Sequence, residues 1–182
     1  MGDLMVKSID PRALRTRSLI VEAFNQLMIT KGFEQITVKD ITEQATINRA
    51  TFYAHFVDKY ALLEEVLTEQ IEQIFNEQLQ GNPKHALNEA LIVQLFLAIV
   101  RVHNQMFSQC RRGYTAFTQM IDDKVKDYLV EMIGEYLPSE QKLQSIIISW
   151  GLYGAYVDWD KTKREAATTY AQKAAQPLLL LI

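Results

Sequence analysis

The placement of glycine and proline constrains this chain more than any other feature. Seven glycines and four prolines are spread over 182 residues, and residues 33–80, 84–112 and 114–133 contain neither. Breaker-free runs of that length, with apolar residues recurring three and four apart, predict helices. Asp10-Pro11 offers an N-cap followed by proline at the first helical position, and Gly32 a left-handed stop. Between them Ile20, Ala23, Phe24, Leu27 and Met28 make a buried stripe. No segment shows sustained strand alternation with hairpin-type turn residues, so the expected class is all-α.

Within the first run the spacing tightens. Thr37-Val38-Lys39-Asp40 has the pattern of a capping box, with Asp in place of Glu, and opens a short helix closing near Gln44. Asn48 is a good N-cap for a second short helix beginning at Arg49. Asp58 starts a third, long and amphipathic, on which Leu63, Val66, Leu67, Ile71, Ile74 and Phe75 share a face as far as Gln80. Two short helices joined by a turn of three or four residues and held by flanking helices form a helix-turn-helix, whose second helix enters the major groove of DNA. Phe52 and Phe56 would anchor that helix, leaving Arg49, Ala50, Thr51, Tyr53 and His55 available. Hydrophobic spacing alone would equally describe a helical hairpin with a solvated face.

The net charge of −3 hides an uneven distribution. Residues 1–60 carry eight Lys/Arg against seven Asp/Glu, whereas residues 61–182 carry eleven against fifteen. Arg12, Arg15 and Arg17 fall within six residues of the first segment and could form a phosphate-seeking arm.

Gly32-Phe33, Thr37-Val38, Asp40-Ile41, Ala45, Ile47, Thr51-Phe52-Tyr53, His55-Phe56, Lys59 and Leu62-Leu63 together resemble the N-terminal domain of TetR-family transcriptional regulators. The match spans about 50 residues and departs from the family pattern at Thr46, where glycine is usual in the turn, and at Asn48, where serine is commoner. The resemblance implies a homodimer whose recognition helices meet successive major grooves of a palindromic operator. It also implies repression until a small molecule binds the C-terminal domain. Thr37, Tyr53, His55 and Lys59 resemble the family's phosphate-contacting residues. Lys59 also lies at a helix N-terminus, which favours an anion. Arg49 is the best candidate for base readout, since arginine can bridge guanine O6 and N7, while Ala50 and the Thr51 methyl can touch thymine methyls. Asn48 could donate to a phosphate or an adenine, but its N-cap role satisfies its side chain and is favoured about two to one.

These readings divide the chain into a flexible N-terminus (1–9), a helix-turn-helix domain (10–57), a connecting helix (58–80) and a helical effector-binding and dimerisation domain (81–182). Asn82-Pro83 is another capped start, and Leu91 to Val102 is apolar nearly all round but too short to span a membrane. Phe96, His103, Met106, Phe107, Tyr114, Phe117, Met120, Trp150 and Tyr153 are the candidate lining of a pocket for an apolar or aromatic ligand. Core filling is the competing role for about half of them. Gly151 and Gly154 permit close helix approach, and with Trp150, Val157, Ala167, Ala171 and Ala174 they form the expected dimer interface. The apolar end Leu178–Ile182 is expected to pack near that interface.

Catalysis has little support. His103 and Cys110 are the one Cys/His pairing available, and two helical turns would hold them about 10 Å apart. No phosphate loop, dinucleotide fingerprint or zinc spacing occurs, so no enzyme activity, cofactor or metal is expected. A single cysteine and no apolar run in the first ten residues suggest a protein of the reducing cytoplasm.

Overall fold

The computed structural model describes residues 10–80, 86–109 and 115–182. Among them are eight α-helices and no strand: α1 (Pro11–Thr30), α2 (Val38–Gln44), α3 (Arg49–His55), α4 (Lys59–Leu79), α5 (Glu89–Gln109), α6 (Thr115–Gly134), α7 (Lys142–Thr162) and α8 (Ala167–Leu179). The chain divides into two compact units at Val66 and Leu67, inside α4. That boundary falls within the segment 58–80 expected as a connecting helix.

In the first unit the local signals act as their chemistry requires. Asp10 caps α1 by accepting the Arg12 N–H at 2.9 Å. The helix ends at Thr30, where Lys31 turns extended (φ −124°) while still donating its N–H to Leu27. Gly32 is correspondingly not left-handed, with φ −66° and ψ 145°. Its carbonyl instead receives the Gln35 N–H and starts a 3-10 turn over Phe33–Gln35. The full capping box forms at Thr37 and Asp40, and Asn48 caps α3 through the Thr51 N–H. Helices this short are unstable alone and need tertiary anchors. Ile20, Phe24, Phe33, Ile36, Ile41, Phe52, Phe56, Leu62 and Leu63 supply them, all buried.

The second unit is built from the rest of α4, from α5 as far as Ser108, and from α6 to α8. Phe75 on α4 meets Tyr128 on α6 with ring centroids 4.9 Å apart. The α5 stretch that reads as apolar nearly all round buries Leu91, Ile92, Leu95, Phe96, Ala98, Ile99 and Val102. That helix begins at Glu89, with Asn88 accepting the Leu91 N–H at 2.9 Å; the start expected at Asn82-Pro83 lies outside the described residues. Helix α7 packs against α6 and α8. Gly151 lies in the second of these contacts, where a Cβ would stand 2.7 Å from Leu178 Cδ2 and that methyl would have to move. Lys163 closes α7 in the left-handed region (φ 43°). Helix α8 runs through Pro177 to Leu179, and beyond it Leu180, Leu181 and Ile182 are exposed in the single subunit.

Candidate nucleic-acid interface

Helix α3 is fixed from beneath and open above. Phe52 is fully buried, with the rings of Tyr53 and Phe56 at 5.5 and 5.9 Å. Arg49, Ala50 and Tyr53 are exposed on the helix, while Thr51 and His55 are half-buried. Asn48 Oδ1 accepts both the Thr51 N–H, at 2.7 Å, and the Thr51 hydroxyl, at 3.0 Å. Both side chains are thereby tied to the cap, and the Thr51 methyl is what remains for a base edge.

The approach to α3 is strained. Thr46 adopts φ 56°, a left-handed conformation unusual for a β-branched residue. It sits where the α2–α3 turn closes, its N–H donating to Glu43 and that of Ile47 to Thr42. The turn therefore has the geometry that glycine would adopt freely, reached here with threonine.

Two residues expected at phosphates are engaged inside the domain. The Thr37 hydroxyl donates to Asp40 Oδ2 at 2.6 Å and accepts the Asp40 N–H at 3.1 Å. Lys31 donates to the same carboxylate at 2.8 Å. The bonds from Lys31 first, then from Thr37, hold the Asp40 carboxyl well below the usual carboxylate range. An anion already fills the N-terminus of α2. Lys59 is the larger departure. Its ammonium donates to the carbonyls of Phe33, Glu34 and Ile36 at 3.1, 3.3 and 2.9 Å and lies 4.5 Å from the Phe33 ring centroid. A primary ammonium has three donors, and all three are directed at main-chain oxygens. Lys59 clamps the 3-10 turn and does not point outward at a phosphate.

The basic arm is likewise divided. Arg12 and Arg15 are exposed, whereas Arg17 pairs with Glu65 and lies 5.9 Å from the Phe56 ring centroid. Sequence spacing gave no sign of the Lys59 clamp, the Lys31–Asp40 pair or the Arg17–Glu65 pair, because each joins residues from different elements.

The second unit gathers part of the expected pocket lining. Phe96, His103, Met106, Phe117 and Tyr153 are buried and Met120 is half-buried. His103 stacks on Tyr156 at 4.5 Å between centroids, and its Nε2 lies 3.9 Å from Asp122. Burial pushes the His103 pKa down, against the pull of Asp122 and Asp160. Trp150 does not join this cluster. It is 59% exposed, with the Lys126 ammonium 5.1 Å from its ring centroid. Tyr114, Cys110 and the Phe107 side chain lie outside the described residues.

Of the expected interface residues, Trp150, Gly151 and Gly154 are exposed, and Val157, Ala167 and Ala174 are half-buried. Ala171 is fully buried within its own subunit, so it is not an interface residue in this arrangement. An open groove of about 340 Å³ runs between α7 and α8, lined by Gly151, Ala155, Tyr170, Lys173, Ala174, Pro177 and Leu178. Among the described residues no three His, Cys, Asp or Glu side chains are grouped to hold a metal, and no helix is long and apolar enough to cross a membrane.

Residues 20–66 match the family described as "Bacterial regulatory proteins, tetR family". The chain is 33% identical over 100 residues to the dhaKLM operon transcriptional activator DhaS of Lactococcus lactis, covering 54% of this chain and 49% of that one. It is 31% identical over 97 residues to the probable acrEF/envCD operon repressor of Escherichia coli, covering 50% and 44%. The chain thus spans about half the length of these curated relatives. A TetR-family regulator from Streptomyces coelicolor shares the fold at TM-score 0.64 and 17% identity, over 96% of this chain and 98% of that chain. The regulator FadR of Bacillus subtilis, solved with stearoyl-CoA, superposes at TM-score 0.52 and 16% identity, over 91% and 98%.

Proposed function

Residues 20–66 make this chain a TetR-family transcriptional regulator, and from that premise we propose that it is a homodimeric repressor that binds a palindromic operator and leaves it when a small apolar or aromatic ligand binds. The observation that carries the reading is the exposed face of α3, where Arg49, Ala50 and Tyr53 stand out from a helix anchored by buried Phe52. Arg49 reads a guanine edge, and Ala50 and the Thr51 methyl read thymine methyls. Tyr53 and His55 fix register on phosphates, with the Thr37 main chain and cap beside them. Lys59 acts behind this surface, by holding the corner against which α2 and α4 start.

The buried cluster around Phe96, His103 and Tyr153 supports a ligand site of apolar and aromatic character in the second unit. A structural neighbour that holds stearoyl-CoA supports the same view. Repression is favoured by the acrEF/envCD relative and opposed by DhaS, an activator by name; a promoter fusion in cells with and without the gene reads the sign.

The test is selection of binding sites from random duplex DNA by the purified protein, followed by affinity against salt. A recovered palindrome with half-sites roughly 34 Å apart is expected. Recovery of no preferred sequence at low salt would overturn the operator reading and point instead to regulation through a protein partner.

A further inference from the structure

We infer that Arg17 is a positioning residue for α3: its guanidinium, held by Glu65 of α4, lies across the Phe56 ring at the end of that helix and sets the angle at which Arg49, Ala50 and Tyr53 meet DNA. The inference rests on α3 being the helix that reads bases, and it removes Arg17 from the phosphate-seeking arm in which its spacing placed it.

Helix α3 has seven residues, about 10 Å of axis, and a helix of two turns holds no orientation of its own. Its first turn is fixed by the Asn48 cap. Its other end is fixed through Phe56, which leaves the helix in extended conformation (φ −137°) while its N–H still donates to Phe52. The Phe56 ring is buried, 5.9 Å from that of Phe52. Arg17 covers it from α1, with the guanidinium carbon 5.9 Å from the ring centroid. A guanidinium is planar, packs on an aromatic face and keeps its donors at the rim. One group can therefore rest on Phe56 and bind the Glu65 carboxylate at the same time. Three helices are joined there: α1 supplies the guanidinium, α3 ends beneath it and α4 holds it.

The neighbouring arginines are placed differently. Arg12 and Arg15 are exposed, whereas Arg17 and Glu65 are both half-buried. A partly exposed ion pair contributes little to stability, and the geometry shows where this one acts instead. With the Phe56 end of α3 as pivot, a tilt of about 10° carries the Arg49 end roughly 2 Å. A hydrogen bond to a base edge tolerates roughly 0.5 Å. Attraction to the phosphate backbone carries no sequence information and is largely indifferent to such a tilt. Loss of the Arg17 contact therefore acts on sequence discrimination far more than on fold stability or on the pull of the backbone.

The experiment compares the affinity of the full chain for its selected operator with that for a random duplex of equal length, across salt, for two substitutions of opposite charge. Arg17→Met keeps an apolar stem over Phe56 and removes the cation. Glu65→Gln keeps the shape and removes the anion. A positioning role lowers the operator-to-random affinity ratio in both, by about 10-fold or more for Arg17→Met and about 3-fold or more for Glu65→Gln, within what base-edge contacts supply. Urea midpoints should stay close to that of the unmodified chain. A phosphate contact by Arg17 behaves otherwise. Arg17→Met would then weaken both duplexes alike and lower the salt slope by about one per subunit, Glu65→Gln would strengthen both, and the ratio would hold. That pattern, or a ratio unmoved by either substitution, overturns the positioning role. Should Arg17→Met fail to fold, Glu65→Gln decides alone, since lost negative charge raises affinity for both duplexes and mispositioning lowers the ratio. Recovery of no preferred sequence by the unmodified chain would overturn instead the reading of α3 on which the role rests.

Discussion

The Lys59 ammonium lies 2.9 Å from the Ile36 carbonyl, across more than twenty residues of sequence, and closes the corner from which α2 starts. The same nitrogen serves Phe33 and Glu34. Lys59→Met keeps the alkyl stem over Phe33 and deletes the donors. Charged hydrogen bonds contribute about 1.5–3 kcal/mol when desolvated, and this site is half-buried, so a loss of about 1–2 kcal/mol is expected in urea unfolding. Operator affinity should then fall in step with stability, with the salt slope preserved. A slope reduced by about one and an unchanged unfolding midpoint would return Lys59 to the phosphate backbone.

Arg49 makes the opposite prediction, because it is exposed and stands on the open face of α3. Arg49→Ala should leave stability within about 0.5 kcal/mol. Operator affinity should drop by about 1–3 kcal/mol, with preference relaxed at one base step. Binding-site selection with the variant reads this directly, and an unaltered recovered sequence would remove Arg49 from the reading face.

Thr46 carries φ 56° in the turn before α3. A left-handed conformation costs a residue with a Cβ about 1–2 kcal/mol, while glycine loses about 0.5–1 kcal/mol more backbone entropy on folding. The strain is the larger of the two, so Thr46→Gly should stabilise the chain by about 0.5–1 kcal/mol. Equilibrium unfolding decides it. A destabilised variant would mean that the threonine side chain contributes more than its strain costs.

What could be read from sequence follows from the range over which each cause acts. Caps at Asp10, Thr37 and Asn48 are settled within three residues of themselves, and the structure places all three where the spacing predicts. The left-handed turn at Thr46 was legible as a departure from glycine. Gly32 misled because a helix stop was inferred from residue type, while the following 3-10 turn took its carbonyl instead. Lys59 misled for the same reason at longer range. A lysine at a helix start reads as an anion site until the three carbonyls of another segment are brought beneath it. Trp150 was divided between pocket and interface, and only its exposure places it on the outer face of α7.

Gly151 and Leu178 set a test of packing inside one subunit. Gly151→Ala gains about 1 kcal/mol of helix propensity but forces a contact at 2.7 Å, and overpacking costs about 1–3 kcal/mol. A net loss of up to about 2 kcal/mol is expected. In a Leu178→Ala background the obstruction is gone, and the same substitution should become stabilising. A double-mutant cycle by thermal unfolding checks the change of sign; additivity would show that Leu178 turns aside at no cost.

His103 gives the pH dependence. Its ring is 5% exposed, stacked on Tyr156, with Tyr153 and Asp122 beside it. Burial lowers its pKa although Asp122 and Asp160 favour the charged form. The unfolded chain therefore takes up the proton first. Stability from this residue is full above the unfolded histidine value near 6.5 and declines as pH falls below it, with a slope of at most about 1.4 kcal/mol per unit. Between about pH 6.5 and 5 ordinary carboxylates stay ionised, so the slope in that window belongs largely to histidine. Urea unfolding at half-unit intervals should show it, and His103→Asn should flatten it. A slope unchanged by the substitution would show that Asp122 and Asp160 compensate the buried charge in full.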